Sequence, residues 1–241
     1  MGNCIIYAAG YTPAMGYCIQ SLKQKGFTIL SEPTFQVTHL LLPVPSFSPD
    51  GSILGGGNLS TLLTLLPKDI VVIGGNLDCP DLVEYKKIDL LEDSSYLAQN
   101  AKITAYCAVK LAANQLPVIL EHCKTLVIGW GRIGKTLSRL LKQMGAQVTV
   151  CCRQESNRSL LSALGYNATS FEEVDLSEYR LIINTVPSML FPICPGSALK
   201  IDLASRLGLG APDVIWARGL PGKDAPESSG TLIAKTIISK L

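Results

Sequence analysis

Three glycines, Gly129, Gly131 and Gly134, stand at the spacing G-x-G-x-x-G within Thr125-Leu126-Val127-Ile128-Gly129-Trp130-Gly131-Arg132-Ile133-Gly134. The chemistry served by this pattern is the binding of a pyrophosphate. The first glycine permits a tight turn at the end of a strand, the second lets backbone approach the anion, and the third lets the next helix lie close to the strand. Free N–H groups at the start of that helix then hold the negative charge. Trp130, Arg132 and Ile133 fill the intervening positions of the same expected contact surface. The pattern carries weight only between a strand and a helix, and both are legible. Residues 126–128 are aliphatic, and Ile133, Leu137, Leu140, Leu141 and Met144 recur at helical spacing, which predicts one apolar face.

The type of dinucleotide is read from the second strand. An NAD site usually ends that strand in a carboxylate about 20 positions on, which accepts from the ribose 2′-OH. Here the strand runs Val148-Thr149-Val150-Cys151-Cys152-Arg153, without an acid and with an arginine after it. A carboxylate would repel a 2′-phosphate, whereas Arg153, with Asn157 and Arg158 one turn later, could hold one by charge-assisted hydrogen bonds. The residues therefore favour NADP. The alternative is two solvated arginines and NAD held without its acidic partner.

Strands of such a sheet present their carboxyl ends to the ligand. Ile183-Asn184-Thr185-Val186-Pro187-Ser188 closes one strand, so Thr185, Val186 and Pro187 are expected beside the cofactor. Ile201-Asp202-Leu203-Ala204-Ser205-Arg206 closes the next. Arg206 offers a planar fork suited to a substrate carboxylate, or else forms a loop salt bridge with Asp202. Arg218-Gly219-Leu220-Pro221-Gly222-Lys223 follows a last strand, and its glycines suggest close backbone approach to a neighbour.

The elements that must position these groups follow from pattern. Residues 4–9, 27–30, 39–44, 69–73 and 87–91 read as strands, residues 13–25 and 59–66 as helices, and residues 46–58 as a surface loop. Residues 1–95 thus form a small doubly wound, flavodoxin-like domain on the substrate side. Residues 96–116 lack Gly and Pro and carry Leu97, Ala101, Ala105, Ala108, Leu111 and Ala112 at helical spacing, predicting an interdomain helix. Strands at 126–128, 147–151, 181–184, 199–203 and 214–217 then place a Rossmann domain at residues 96–226. A last helix at 227–241 carries Leu232, Ile233, Ile237 and Ile238 on one stripe. The fold class is α/β, with two doubly wound parallel sheets.

Composition narrows the function. The 241 residues are 47% hydrophobic but only 6% aromatic, as expected of aliphatic strands buried under helices. A formal charge of +2 without a basic block argues against nucleic acid, and no apolar run approaches the roughly 20 residues of a membrane span. Eight scattered cysteines read as reduced, buried thiols of a cytoplasmic protein. Two distant histidines and no C-x-x-C pair leave no metal ligand set at usable spacing.

Taken together, residues 129–134, Ile183-Asn184-Thr185-Val186-Pro187-Ser188-Met189, Ile201-Asp202-Leu203-Ala204-Ser205-Arg206, and Leu220-Pro221-Gly222-Lys223 with Ala225-Pro226 and Gly230 resemble the A subunit of dipicolinate synthase. The resemblance spans residues 100–241. It implies a two-domain fold similar to D-2-hydroxyacid dehydrogenases, with the last helix returning to the first domain. It also implies NADP-dependent oxidation of dihydrodipicolinate during sporulation, in partnership with a flavoprotein-like B subunit; a homo-oligomer is left open.

Two departures stand out. Thr104-Ala105-Tyr106-Cys107 replaces a Thr-x-Glu-Gly that opens the family's interdomain helix, which removes a carboxylate, and Leu207-Gly208-Leu209-Gly210 interposes an apolar residue in a glycine loop. In the enzyme reading, aromatisation drives proton loss, and Thr104, Tyr106 or Ser205 relays the proton while Arg206, Arg218 and Lys223 pair with carboxylates of a small dicarboxylate. In the other reading the chain binds NADP(H) as a subunit or sensor without turnover. A 2-hydroxy- or amino-acid dehydrogenase is disfavoured because no histidine stands near the expected site segments.

Overall fold

Short aliphatic runs bounded by glycine and proline become parallel strands here because helices between them cover the sheet faces. The structure is a computed structural model that describes residues 4–194 and 196–241. The chain divides into one unit formed by Met1–Asn100 with Pro221–Leu241 and another formed by Ala101–Leu220.

The first unit contains β1 (Ile5–Ala8), α1 (Pro13–Gln24), β2 (Thr28–Leu30), β3 (His39–Leu41), α2 (Leu59–Leu63), β4 (Val71–Gly74) and β5 (Lys86–Asp89). All strand pairs are parallel, in the order β2-β1-β3-β4-β5. This is the flavodoxin-like 2-1-3-4-5 order. Thr12 starts α1 by accepting from the Met15 N–H at 3.2 Å, with Pro13 in the first turn. Leu40, Leu42, Ile53, Leu62, Val72 and Leu77 share one core.

Residues 46–58 depart from the expected surface loop. Ser46 and Ile53 are buried, Phe47 bridges Ile53 antiparallel, and Ser46 Oγ donates to the Pro43 carbonyl while accepting from Gly75 N–H, each at 2.9 Å. The segment folds onto the end of β4 because Ile53 supplies core volume and Ser46 satisfies two backbone groups that would otherwise be buried unpaired.

The final helix, α7 (Pro226–Ile238), packs along α1 in this same unit, so the last helix does return to the first sheet. Gly230 makes the close approach feasible, since a Cβ there would overlap the Ala14 carbonyl oxygen. Leu232, Ile233 and Ile237 are buried, but Ile238, at the helix end, is exposed.

The second unit continues from α3 (Ser94–Gln115), within which the boundary between units falls. Ala101, Ala105, Ala108 and Ala112 form its buried stripe. Then come β6 (Lys124–Ile128), α4 (Arg132–Gln143), β7 (Gln147–Cys151), α5 (Glu155–Ala163), β8 (Asn167–Thr169), β9 (Leu181–Asn184), β10 (Leu199–Asp202) and β11 (Ile215–Trp216); a short α6 (Leu220–Asp224) starts at the last residue of this unit and leads back into the first. The sheet order is β11-β10-β9-β6-β7-β8, all parallel. Winding reverses between β6 and β9, the topological switch point of a Rossmann sheet.

Three local expectations need correction. Periodicity puts Met144 on the buried face of α4; it is exposed, because the helix ends at Gln143 and Gly145, at φ +83°, turns the chain away. Helix α5 and strand β8 have no counterpart among the expected elements, since α5 buries only Leu161 and β8 is three residues long. Residues 220–224, expected to be a turn, form α6.

Candidate nucleotide site

Strand register brings the expected phosphate loop to the carboxyl ends of its neighbours. Ile128 pairs with Cys151 on one side and with Asn184 on the other. Gly129 N–H donates to the Cys151 carbonyl at 2.8 Å, and both the N–H and the Oγ1 of Thr185 donate to the Ile128 carbonyl, at 2.9 and 2.8 Å. Three strand ends therefore converge on one turn.

The three glycines of that turn are not equivalent. Gly129 has φ +101°, and a Cβ there would lie 2.5 Å from Thr185 Oγ1 and 2.7 Å from Val186 Cγ2. Gly134 lies directly over the Gly129 carbonyl oxygen, where any side chain would overlap it. Gly131 differs: its φ of −82° suits any residue, and a Cβ there would meet nothing within 4 Å. The protein's own packing gives no reason for glycine at 131; a ligand pressed against the backbone would give one. Gly131 is also the N-cap of α4, with no side chain capping its first N–H groups. Open backbone, uncapped N–H groups and a switch-point position fit a dinucleotide pyrophosphate. Arg132 is exposed and Ile133 half-buried at the start of α4.

Trp130 is partly buried, stacked edge-on against Tyr166 at 5.9 Å, with Lys135 Nζ 5.9 Å from its ring centre. Its buried indole N–H has no hydrogen-bond partner. At the end of β7, Cys152 is buried and Arg153 exposed. Burial raises the Cys152 thiol pKa, against a smaller lowering by Arg158. Arg158 is partly committed, for its Nη1 donates to the carbonyls of Cys152 and Arg153 at 3.0 and 2.7 Å and so fixes the turn that presents Arg153. Asn157 Nδ2 donates to Gln154 at 2.8 Å.

Residues 95–189 match the D-isomer specific 2-hydroxyacid dehydrogenase NAD binding domain. The chain is 27% identical over 171 residues to the A subunit of dipicolinate synthase from Bacillus subtilis, covering 65% of this chain and 57% of that protein. The crystal structure of the dipicolinate synthase A subunit from Bacillus halodurans superposes with a TM-score of 0.85 over 99% of this chain and 97% of that one, at 19% identity. The corresponding Bacillus subtilis structure gives 0.79 over 100% and 96%, at 21% identity.

The chain resembles the A subunit of dipicolinate synthase.

This dipicolinate synthase A-like chain thus contains, over residues 95–189, a nicotinamide dinucleotide-binding domain of the dehydrogenase type. Among its described residues no group of acidic, cysteine or histidine side chains could hold a metal, and no helix is long and apolar enough to cross a membrane.

Beyond the phosphate loop, the ends of β9 and β10 are locked by a polar network that the sequence did not disclose. Asp202 is 0% exposed and accepts from Ala204 N–H at 2.9 Å, Gly208 N–H at 2.7 Å and Asn184 Nδ2 at 2.9 Å. Asn184 also exchanges hydrogen bonds with the Val186 backbone, both at 3.0 Å. This holds Thr185 and Val186 beside Gly129, with Pro187 next in the chain. It also excludes the Asp202–Arg206 salt bridge, because the carboxylate is consumed by buried donors; Ser205 and Arg206 are exposed.

The candidates on α3 are not brought together. Thr104 is 7% exposed and Tyr106 is 52% exposed, since residues two apart face different sides of a helix. They cannot serve one relay as a pair.

Two other arrangements escaped the sequence. Lys200, 1% exposed, donates to Asp213 at 2.9 Å and to the carbonyls of Gly196 and Ala198. This partner holds the Asp213 carboxyl below its usual range. Cys4 Sγ lies 3.2 Å from His39 Nδ1, at the amino ends of β1 and β3. Burial raises the thiol and lowers the imidazole, so both stay neutral, unlike an activated nucleophile. None of the eight cysteines forms a disulfide.

Proposed function

We propose that the chain is an NADP-dependent oxidoreductase that oxidises dihydrodipicolinate to dipicolinate, acting in the cytoplasm of a sporulating cell together with a flavoprotein-like B subunit. The open face at Gly131, together with an Arg153 that follows a second strand lacking the acid of NAD sites, is the observation that carries this reading. Support comes from the dehydrogenase-type domain over residues 95–189 and from the likeness to the dipicolinate synthase A subunit.

When bound, the nicotinamide supplies a two-electron acceptor for a hydride leaving the dihydro ring. The residues of this chain do the rest. The N–H groups opening α4 hold the pyrophosphate, with Trp130, Arg132 and Ile133 around it. Arg153 takes the 2′-phosphate in a charge-assisted contact, and Arg158 and Asn157 shape the turn that carries it. Thr185, Val186 and Pro187 border the ribose. Arg206 receives a substrate carboxylate, and Ser205 beside it passes the released ring proton to water; Thr104 and Tyr106 stand as separate relay candidates. Loss of that proton makes the ring aromatic, so no strong base is demanded.

A second reading rests on Tyr106. A phenol stands where the resemblance calls for a carboxylate, which favours a subunit that binds NADP(H) without turnover. Purified chain with the B subunit, NADP and dihydrodipicolinate separates the two. Growth of NADPH absorbance supports the enzyme; tight NADPH binding without turnover on the dicarboxylate supports the binding subunit, and failure to bind NADPH contradicts both.

A further inference from the structure

Trp216 is 46% exposed at the carboxyl end of β11, yet it is fixed in place: its indole N–H donates to the Ala204 carbonyl at 3.0 Å. The guanidinium carbon of Arg218 lies 5.2 Å from its ring centre. Asp202 pairs with Trp216 across the β10–β11 ladder, so Ser205 and Arg206 follow directly on the residue whose carbonyl holds the indole.

Charge makes this edge unusual. Between Leu199 and Arg218 the acidic residues are Asp202 and Asp213. Asp202 is saturated by Ala204, Gly208 and Asn184, and Asp213 is paired with Lys200. Among the described residues neither Arg206 nor Arg218 takes part in a salt bridge. Two exposed guanidiniums thus stand at one sheet edge with both local carboxylates already committed. An arginine held against an aromatic face loses less freedom on binding, because its fork is already oriented.

We propose that Trp216 positions Arg218 as a preformed receiver for one carboxylate of a planar ring dicarboxylate, with Arg206 from the adjoining loop receiving the other. This rests on the dicarboxylate reading above and adds the residues that select the ligand. Arg218 and Arg206 contact the ligand, and Trp216 is a positioning residue.

The test is calorimetric titration of the full chain with pyridine-2,6-dicarboxylate and pyridine-2-carboxylate, in the presence of saturating NADPH. The wild-type chain should prefer the diacid by at least tenfold. Arg218→Ala and Trp216→Ala should each weaken the diacid about tenfold, and the double variant should be little worse than either, because both remove the same receiver. Trp216→Phe, which keeps an aromatic face, should recover most of the affinity. Arg206→Ala should leave the two ligands equal, and NADPH affinity should stay within twofold throughout. Folding of the alanine variants is checked by thermal melting, with Trp216→Phe and Arg218→Lys as the conservative pair. Wild-type diacid affinity in Trp216→Ala, or additive losses in the double variant, would overturn the proposal while leaving the oxidoreductase reading intact. Absence of diacid binding to an NADPH-loaded wild-type chain would overturn both, and absence of NADPH binding would remove the underlying reading first.

Discussion

Asn184 Nδ2 donates to Asp202 Oδ2 at 2.9 Å, joining the carboxyl ends of β9 and β10 under a layer that excludes water. The bond matters because the same carboxylate also closes the loop through Ala204 and Gly208 N–H groups. Asp202→Ala strands three buried donors, and each unsatisfied group costs about 1–3 kcal/mol, less than additively once the loop relaxes. A loss of about 3 kcal/mol is expected by urea denaturation, and Asp202→Asn, which retains one acceptor oxygen, should lose less. A change below about 0.5 kcal/mol for Asp202→Ala would mean that the network is ornamental.

Gly131 and Gly134 make opposite predictions. At Gly134 a Cβ overlaps the Gly129 carbonyl, so Gly134→Ala must shift the loop or α4 and should lower both stability and nucleotide affinity. At Gly131 a Cβ meets only open space, and the substitution costs the fold no more than about 1 kcal/mol of N-cap preference. Gly131→Ala should therefore melt close to wild type while losing most NADPH affinity. Fluorescence titration beside thermal melting distinguishes the two effects. Unchanged NADPH affinity in Gly131→Ala would show that no ligand approaches that backbone.

The phosphate loop is legible because its signal is local: spacing, a strand before and a helix after. Strand order cannot be read, since nothing in residues 181–184 says that they pair with residues 125–128 rather than with residues 167–169. The Asn184–Asp202 bond is hidden for the same reason, as it exists only through the β9–β10 register. Met144 misleads because helical period says nothing about where a helix stops, and this one stops a residue earlier, ahead of Gly145. The α3 candidates are near neighbours in sequence but diverge in space, a consequence of helical geometry that a motif comparison overlooks. Trp216 and Lys200 draw no notice because an isolated tryptophan and a lysine inside a strand carry no pattern.

Asp93 gives a pH dependence. Its Oδ1 accepts from Tyr96 N–H at 2.7 Å, capping α3, while Oδ2 pairs with Lys240 at 2.7 Å beyond the end of α7. The Lys240 contact first, and the Tyr96 N–H second, hold its pKa below the ordinary 3.8. A carboxyl depressed in the folded state stabilises above its unfolded value and loses that contribution as pH falls through the folded value. Asp93→Asn should therefore lower the melting temperature at pH 7, and the gap should close as pH drops below 3.8. A gap independent of pH would mean that the carboxylate's charge plays no part.

The nucleotide site is tested most directly by parallel titration of wild type and Arg153→Ala with NADPH and NADH. The wild-type chain should prefer NADPH, and Arg153→Ala should weaken NADPH by on the order of 2 kcal/mol, roughly thirtyfold, while leaving NADH nearly unchanged. Equal affinity of wild type for both nucleotides, or equal weakening of both by the substitution, would contradict a 2′-phosphate held at Arg153.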